Sequence, residues 1–158
     1  MHLLRSSKSR VLVAGAGAIV CLALTAAPAN AVVKPATGTC GGPYALSTTA
    51  HMADGYSFHV SQVQNCPIWM AGTPVYADYE TNGSTAQVGT LNVAGSGNWF
   101  VCQTTSFART YTYGGYSSND WAITEDDQGS WGWVPGVFFS GSASSWTGLR
   151  ECTTYEDP

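Results

Sequence analysis

The sequence predicts an all-β protein, and three observations carry that prediction. Only 10% of the 158 residues are charged, while 12% are aromatic and 18 are glycine. That is neither the composition of a disordered chain nor the Ala/Glu/Lys/Leu bias of a helical bundle. Short runs that alternate apolar with polar residues recur along the chain, divided by Gly, Asn and Asp turn signals, and no helical period lasts three turns. Finally, Cys40, Cys66, Cys102 and Cys152 form an even, widely spaced set, which reads as two disulfides of a small extracellular domain.

The first 31 residues read as a secretion signal. Arg5, Lys8 and Arg10 precede an apolar stretch from Val11 to Ala27, and Pro28-Ala29-Asn30-Ala31 ends in the small-x-small pattern that signal peptidase cleaves. A membrane anchor would want about 20 unbroken apolar residues. Gly15, Gly17 and Pro28 interrupt this shorter run. Cys21 follows the branched Val20 rather than a small residue, so it is expected to leave with the signal. The product is expected to be secreted, with no membrane attachment after cleavage.

Residues 32–72 read as an N-terminal extension. Val32 to Thr49 is a loose arm of Thr, Gly, Pro and Ala that Cys40 ties down. One strand follows, with Tyr56, Phe58 and Val60 alternating with Ser57, His59 and Ser61 until Cys66-Pro67. Residues 73–141 hold the remaining runs: Thr73 to Tyr79, Ala86 to Leu91, Asn98 to Thr104, Arg109 to Tyr113, Asp120 to Thr124 and Trp131 to Val134. Asn82-Gly83, Gly95-Ser96-Gly97, Gly114-Gly115 and Glu125-Asp126-Asp127-Gln128-Gly129 are their turns. Residues 142–158 form a tail tied by Cys152. Short strands at this spacing suggest a small barrel or a sandwich. Sequential bridges, Cys40 to Cys66 and Cys102 to Cys152, are the expected pairing because they staple each end of the chain to its neighbouring part. No two of these cysteines have the C-x₂₋₄-C spacing of a zinc knuckle, so no metal site is expected.

Charge narrows the partners. Once the signal is removed, Lys34, Arg109 and Arg150 are the only basic residues facing ten acids. Without a basic stripe the chain cannot release counterions from phosphates, so nucleic acid is not an expected partner. Nor is an anionic membrane surface. No chemistry-bearing motif stands out either. His51 and His59 lie in no nucleophile or metal pattern, no Gly-x-Ser-x-Gly elbow is present, and the cysteines are spent in bridges. Glu125, Asp126 and Asp127 would be the acids of a glycan hydrolase, but adjacent turn residues point apart, and a solvated hairpin tip is the simpler reading. No catalytic residue and no cofactor are expected.

A stretch from about Thr73 to Gly141 resembles a bacterial SH3-like domain of the kind found in secreted actinobacterial proteins. The residues that carry it are Pro74-Val75-Tyr76, Val88-Gly89-Thr90-Leu91, Trp99-Phe100-Val101-Cys102-Gln103, Asn119-Asp120-Trp121-Ala122 and Gly129-Ser130-Trp131-Gly132-Trp133-Val134, then Val137-Phe138-Phe139. It departs from that family at Val75-Tyr76-Ala77-Asp78-Tyr79, where an Asn-x-Arg-x-Gly-Pro signature is usual. The resemblance implies a small, strongly bent β-barrel that binds peptide or cell-wall material and performs no chemistry. It also implies that Tyr76 and Tyr79 bracket a passage from strand to loop where such barrels face their ligands. Trp131 and Trp133 share one face of their strand and Val134 the other. With Val134 in the core, both tryptophans are expected to look outward or into a groove, so that Tyr76, Tyr79, Trp131 and Trp133 could converge on one shallow binding groove. The partner is then a peptide, a cell-wall glycan such as peptidoglycan, or an extracellular protein. In this last case the chain would inhibit a protease or other hydrolase through the loop Thr104 to Ser118 beside Cys102.

Overall fold

The computed structural model describes residues 33–35, 38–141 and 146–156. The expected secretion signal lies outside the described residues. Ten strands and one short 3-10 helix, but no α-helix, make up the regular structure among those residues. The strands are β1 (Tyr44–His51), β2 (Ser57–Asn65), β3 (Thr73–Tyr76), β4 (Gln87–Leu91), β5 (Trp99–Phe100), β6 (Gln103–Thr104), β7 (Tyr111–Tyr113), β8 (Tyr116–Ser118), β9 (Trp121–Glu125) and β10 (Trp131–Pro135). Gly136–Phe138 forms the 3-10 turn.

Three sheets result. A five-stranded sheet runs β4-β3-β10-β9-β6, a three-stranded sheet runs β1-β2-β5, and β7-β8 is a separate ribbon. All named pairings are antiparallel. The all-β class is as expected, but the sheets do not close on themselves and form no continuous barrel. Gly114 and Gly115 both take positive φ, +57° and +86°. That is what a two-residue turn needs to match the twist of β7 and β8.

The centre of the five-stranded sheet, β9 and β10, is covered on both faces, while the edge strand β4 is largely half-buried. Val75, Leu91, Ala122 and Val134 face one apolar cluster, completed by Ile68, Phe100, Val137, Phe138, Phe139, Trp146 and Leu149. Trp121, Ile123, Trp131 and Trp133 face a second cluster made with Ala50, Met52, Phe58, Val60 and Val63 of the hairpin β1-β2. The segment expected as a loose arm therefore contains a full strand. β1 pairs with β2 from Tyr44↔Val63 to His51↔Ser57, with a bulge between Ala45 and Thr48. Its alternation escapes notice because the residues it turns toward β2's apolar face are Leu46, Thr48 and Ala50, only one of them a large apolar residue. The hairpin is the lid of the second cluster. With the hairpin over Trp131 and Trp133 and the first cluster over Val134, every residue of β10 is buried.

The two disulfides join Cys40 to Cys66 and Cys102 to Cys152, the sequential pairing. Their sequence separations are 26 and 50 residues, for which loop-closure entropy contributes roughly 3 to 4 kcal/mol apiece. The C-terminal segment is also bound by backbone. Gln103 N donates to Arg150 O and Cys152 N donates to Gln103 O, while the buried Gln103 amide donates to the carbonyls of Trp146 and Leu149 and accepts from Trp146 N. Extension and tail thus pack with the central sheet as one unit.

Candidate functional site

Strands β3 and β10 set the site. Their pairing places Trp133 opposite Tyr76, and beyond β3 the chain leaves the sheet so that the Tyr79 ring lies against Trp133, centroids 4.1 Å apart. Around these two rings a cavity of about 140 Å³ opens, with Met52 and Tyr56 from the β1-β2 turn on one side. Four carboxylates, Asp54, Asp78, Glu80 and Glu156, complete its wall.

Local bonding fixes most of that wall. Asp54 Oδ1 accepts from Tyr56 N at 2.9 Å and Asp78 Oδ1 from Glu80 N at 2.9 Å, so each aspartate closes its own turn. Glu156 is paired with the Arg150 guanidinium, and its Oε2 also accepts from Thr153 N at 3.0 Å and Thr153 Oγ1 at 2.9 Å. Burial alone would raise the Glu156 carboxyl, but the bonds from Arg150 and Thr153 outweigh it and hold the group below its ordinary value. Glu156 is therefore a fixed negative charge and is unsuited to donate a proton as a general acid. Arg109 stands near Asp78 yet spends its guanidinium on backbone carbonyls, donating to Asp78 O at 2.6 Å, Ser84 O at 3.3 Å and Glu80 O at 3.4 Å. It lies over the rings of Trp121 and Tyr76, 4.6 and 5.5 Å from their centroids.

The expected groove of four rings does not form. Only Tyr79 and Trp133 meet. Tyr76 packs against Tyr111 and Trp121, and its hydroxyl is 2.9 Å from that of Tyr111. Burial, the Tyr111 bond and the Tyr111 charge push the Tyr76 phenol well above its ordinary value against the opposing pull of Arg109. Trp131 packs on Trp99, centroids 5.6 Å apart, and its backbone bridges to Met52 at the end of the hairpin. With Trp131 and Trp133 each 5% exposed and Tyr79 4%, neither tryptophan looks outward, and of the two only Trp133 lines the cavity. The period-2 assignment of their shared face is right, and the hairpin covers that face.

The acidic turn also differs from expectation. Asp126, expected at a solvated tip, is 7% exposed. Its Oδ1 accepts from Gln128 N at 2.9 Å and Ser130 N at 2.7 Å, and its Oδ2 from Thr90 N at 3.3 Å. Asp127 Oδ2 accepts from Asn92 N at 2.7 Å. The cluster joins the β9-β10 turn to the edge of β4. Elsewhere, burial raises the Asp120 carboxyl against a Ser118 bond, and burial followed by the Asp120 charge raises that of Glu151. Asp120 does not line the aromatic cavity. His51 Nδ1 lies 3.0 Å from Ser57 Oγ on the exposed side of the hairpin, as a cross-strand pair.

Residue-by-residue reading passed over Phe107. It is 85% exposed and holds φ +51°, the only positive value at a described non-glycine residue. The signal available was an isolated Phe in the polar run Thr104-Thr105-Ser106-Phe107-Ala108-Arg109, out of register with any strand pattern. Met52 and Asp54 carry no signal of their own in the sequence, and Tyr56 is legible only as a strand residue; all three reach the cavity because the β1-β2 hairpin folds over the central sheet. Comparison with known protein families, with curated proteins and with solved structures finds no match.

Proposed function

We propose that this chain is a secreted, non-catalytic binding module that takes up peptide or cell-wall material at the Tyr79–Trp133 cavity. The observation that carries the reading is the composition of that cavity: two packed aromatic rings surrounded by Asp54, Asp78, Glu80 and Glu156. Carboxylates around a small cavity floored by two largely covered rings favour an ammonium or guanidinium group, chiefly by charge. A cavity of about 140 Å³ suits one such head group, so the ligand is an amine-bearing peptide, free or attached to the wall. The secretion signal read in residues 1–31 and the two disulfides support an extracellular setting. The SH3-like resemblance of residues 73–141 supports peptide or wall recognition. A binding role also accords with the ionised, fully bonded Glu156.

Co-sedimentation with insoluble peptidoglycan tests this. The wild-type chain is expected to pellet with it. Asp54→Asn combined with Glu80→Gln, which leaves the Asp54 turn acceptor in place, is expected to weaken pelleting about tenfold at unchanged melting temperature, as loss of charge at a recognition site does. A wild-type chain that stays in the supernatant with both peptidoglycan and amine-bearing peptide beads would reject the reading, as would pelleting indifferent to the double substitution.

A further inference from the structure

The loop between β6 and β7 presents a second surface, which adjoins the aromatic cavity at Tyr79 and Glu80. Phe107 is the most exposed large apolar side chain among the described residues, at 85%. It stands on the rim of a cleft of about 410 Å³ that Thr104, Thr105, Cys152 and Thr153 also line, and the cleft leaves most of the ring in solvent. Its backbone conformation is disfavoured for a bulky residue, and the surroundings hold it there. Phe107 O accepts from Thr81 N at 3.1 Å and from Thr81 Oγ1 at 2.9 Å. Arg109 N donates to Tyr79 O at 3.0 Å, Ser106 N to Thr104 Oγ1 at 3.2 Å, and the Cys102–Cys152 bridge anchors the base of the loop. Backbone strain of this kind persists only where the surroundings hold it, and it clusters at ligand-contacting and switch positions.

We propose that Phe107 anchors a protein-binding loop whose partner is an extracellular endopeptidase with an aromatic-selective primary pocket and a cationic rim. A single ring on a rigid loop is the shape such a pocket is built to take, and it brings little ordering cost. The cationic rim follows from Glu80 and Glu151, which flank Phe107 on the neighbouring cleft. The same two acids argue against a second copy of this chain, because they would face their own counterparts across a two-fold contact. The loop also withholds what cleavage requires. A φ of +51° is not the extended backbone of a substrate, and the carbonyl that would have to be attacked is committed to Thr81. The pocket is plugged by the side chain and the peptide bond survives.

Chymotrypsin, whose primary pocket is a hydrophobic slot, is the probe, read by turnover of a small chromogenic substrate. The wild-type chain is expected to inhibit it with one-to-one stoichiometry and to remain intact. Phe107→Ala should weaken inhibition by about 30-fold, the size of a hot-spot aromatic. Phe107→Gly removes both ring and strain, so it should weaken inhibition at least as much while raising the melting temperature. Absence of inhibition at about 10 μM wild-type chain, inhibition retained in both variants, or prompt cleavage after Phe107 would each overturn the proposal. None of these outcomes bears on pelleting with peptidoglycan.

Discussion

Asp126 joins two parts of the chain that are distant in sequence. Its carboxylate holds the turn after β9 through Gln128 and Ser130 and reaches across to Thr90 of β4. Gly89 is the complementary position, because a Cβ there would lie 1.8 Å from Asp126 Oδ2. Charge-assisted bonds of this kind are worth about 1.5–3 kcal/mol each when a partner is left without them. Asp126→Ala is therefore expected to cost about 2–3 kcal/mol in urea unfolding, and Gly89→Ala a similar amount by displacing the carboxylate, the two losses being less than additive. A cost below about 0.5 kcal/mol, the value for an ordinary exposed turn residue, would show that the cage contributes nothing. The acidic run was visible in the sequence, but which acid is caged depends on β4 arriving beside the turn from 36 residues away. The same limit applies to Trp131 and Trp133. Period 2 assigns them a common face, while what covers that face is decided by a hairpin more than sixty residues upstream.

Strands were legible where a large apolar residue recurs at every second position, as at Phe58 and Val60 of β2. They were lost where the inward residues are small or polar, as in β1. The run Asn98 to Thr104 reads as one strand but divides into β5 and β6, which pair with β2 and β9 respectively. The C-terminal segment offers a test at this scale. Because the Glu156 carboxyl is held below its ordinary value, the stability it lends is complete above the unfolded carboxyl value and is lost as pH falls through the folded one. Asp120, raised by burial, acts in the opposite sense, favouring the fold at low pH and losing that contribution as pH rises. A local probe separates them. On acidification from about pH 6 to pH 3, the protection factors of the Thr153 and Glu156 amides, taken relative to intrinsic exchange at each pH, are expected to fall before those of the sheet amides, a step that Glu156→Gln abolishes. Protection that falls uniformly across the chain would show that the Arg150–Glu156 pair does not anchor the segment.

For the whole molecule, the all-β class and the disulfides were legible because composition and cysteine count report directly on them. Closure was not. Whether strands form a barrel depends on their length, tilt and stagger, and here the edges are covered instead. β4 is bonded through Asp126 and Asp127, and β6 is bridged to Glu151. Paired Cys102→Ser and Cys152→Ser substitutions are expected to lower stability by about 3–4 kcal/mol without changing the far-ultraviolet dichroism of the sheets. A loss under about 1 kcal/mol would mean that Gln103 and its bonds suffice to hold the C-terminal segment.

The central claim, that the Tyr79–Trp133 cavity is where this protein binds its ligand, is tested most directly by nuclear magnetic resonance titration of the isotope-labelled chain with a soluble, amine-bearing wall peptide. The account predicts saturable shifts at the Trp133 indole N–H and at the amides of Asp54, Tyr56, Tyr79 and Glu80, with the same peptide acetylated at its amine producing none. Shifts that cluster away from these residues, or that are identical for the acetylated peptide, would contradict it.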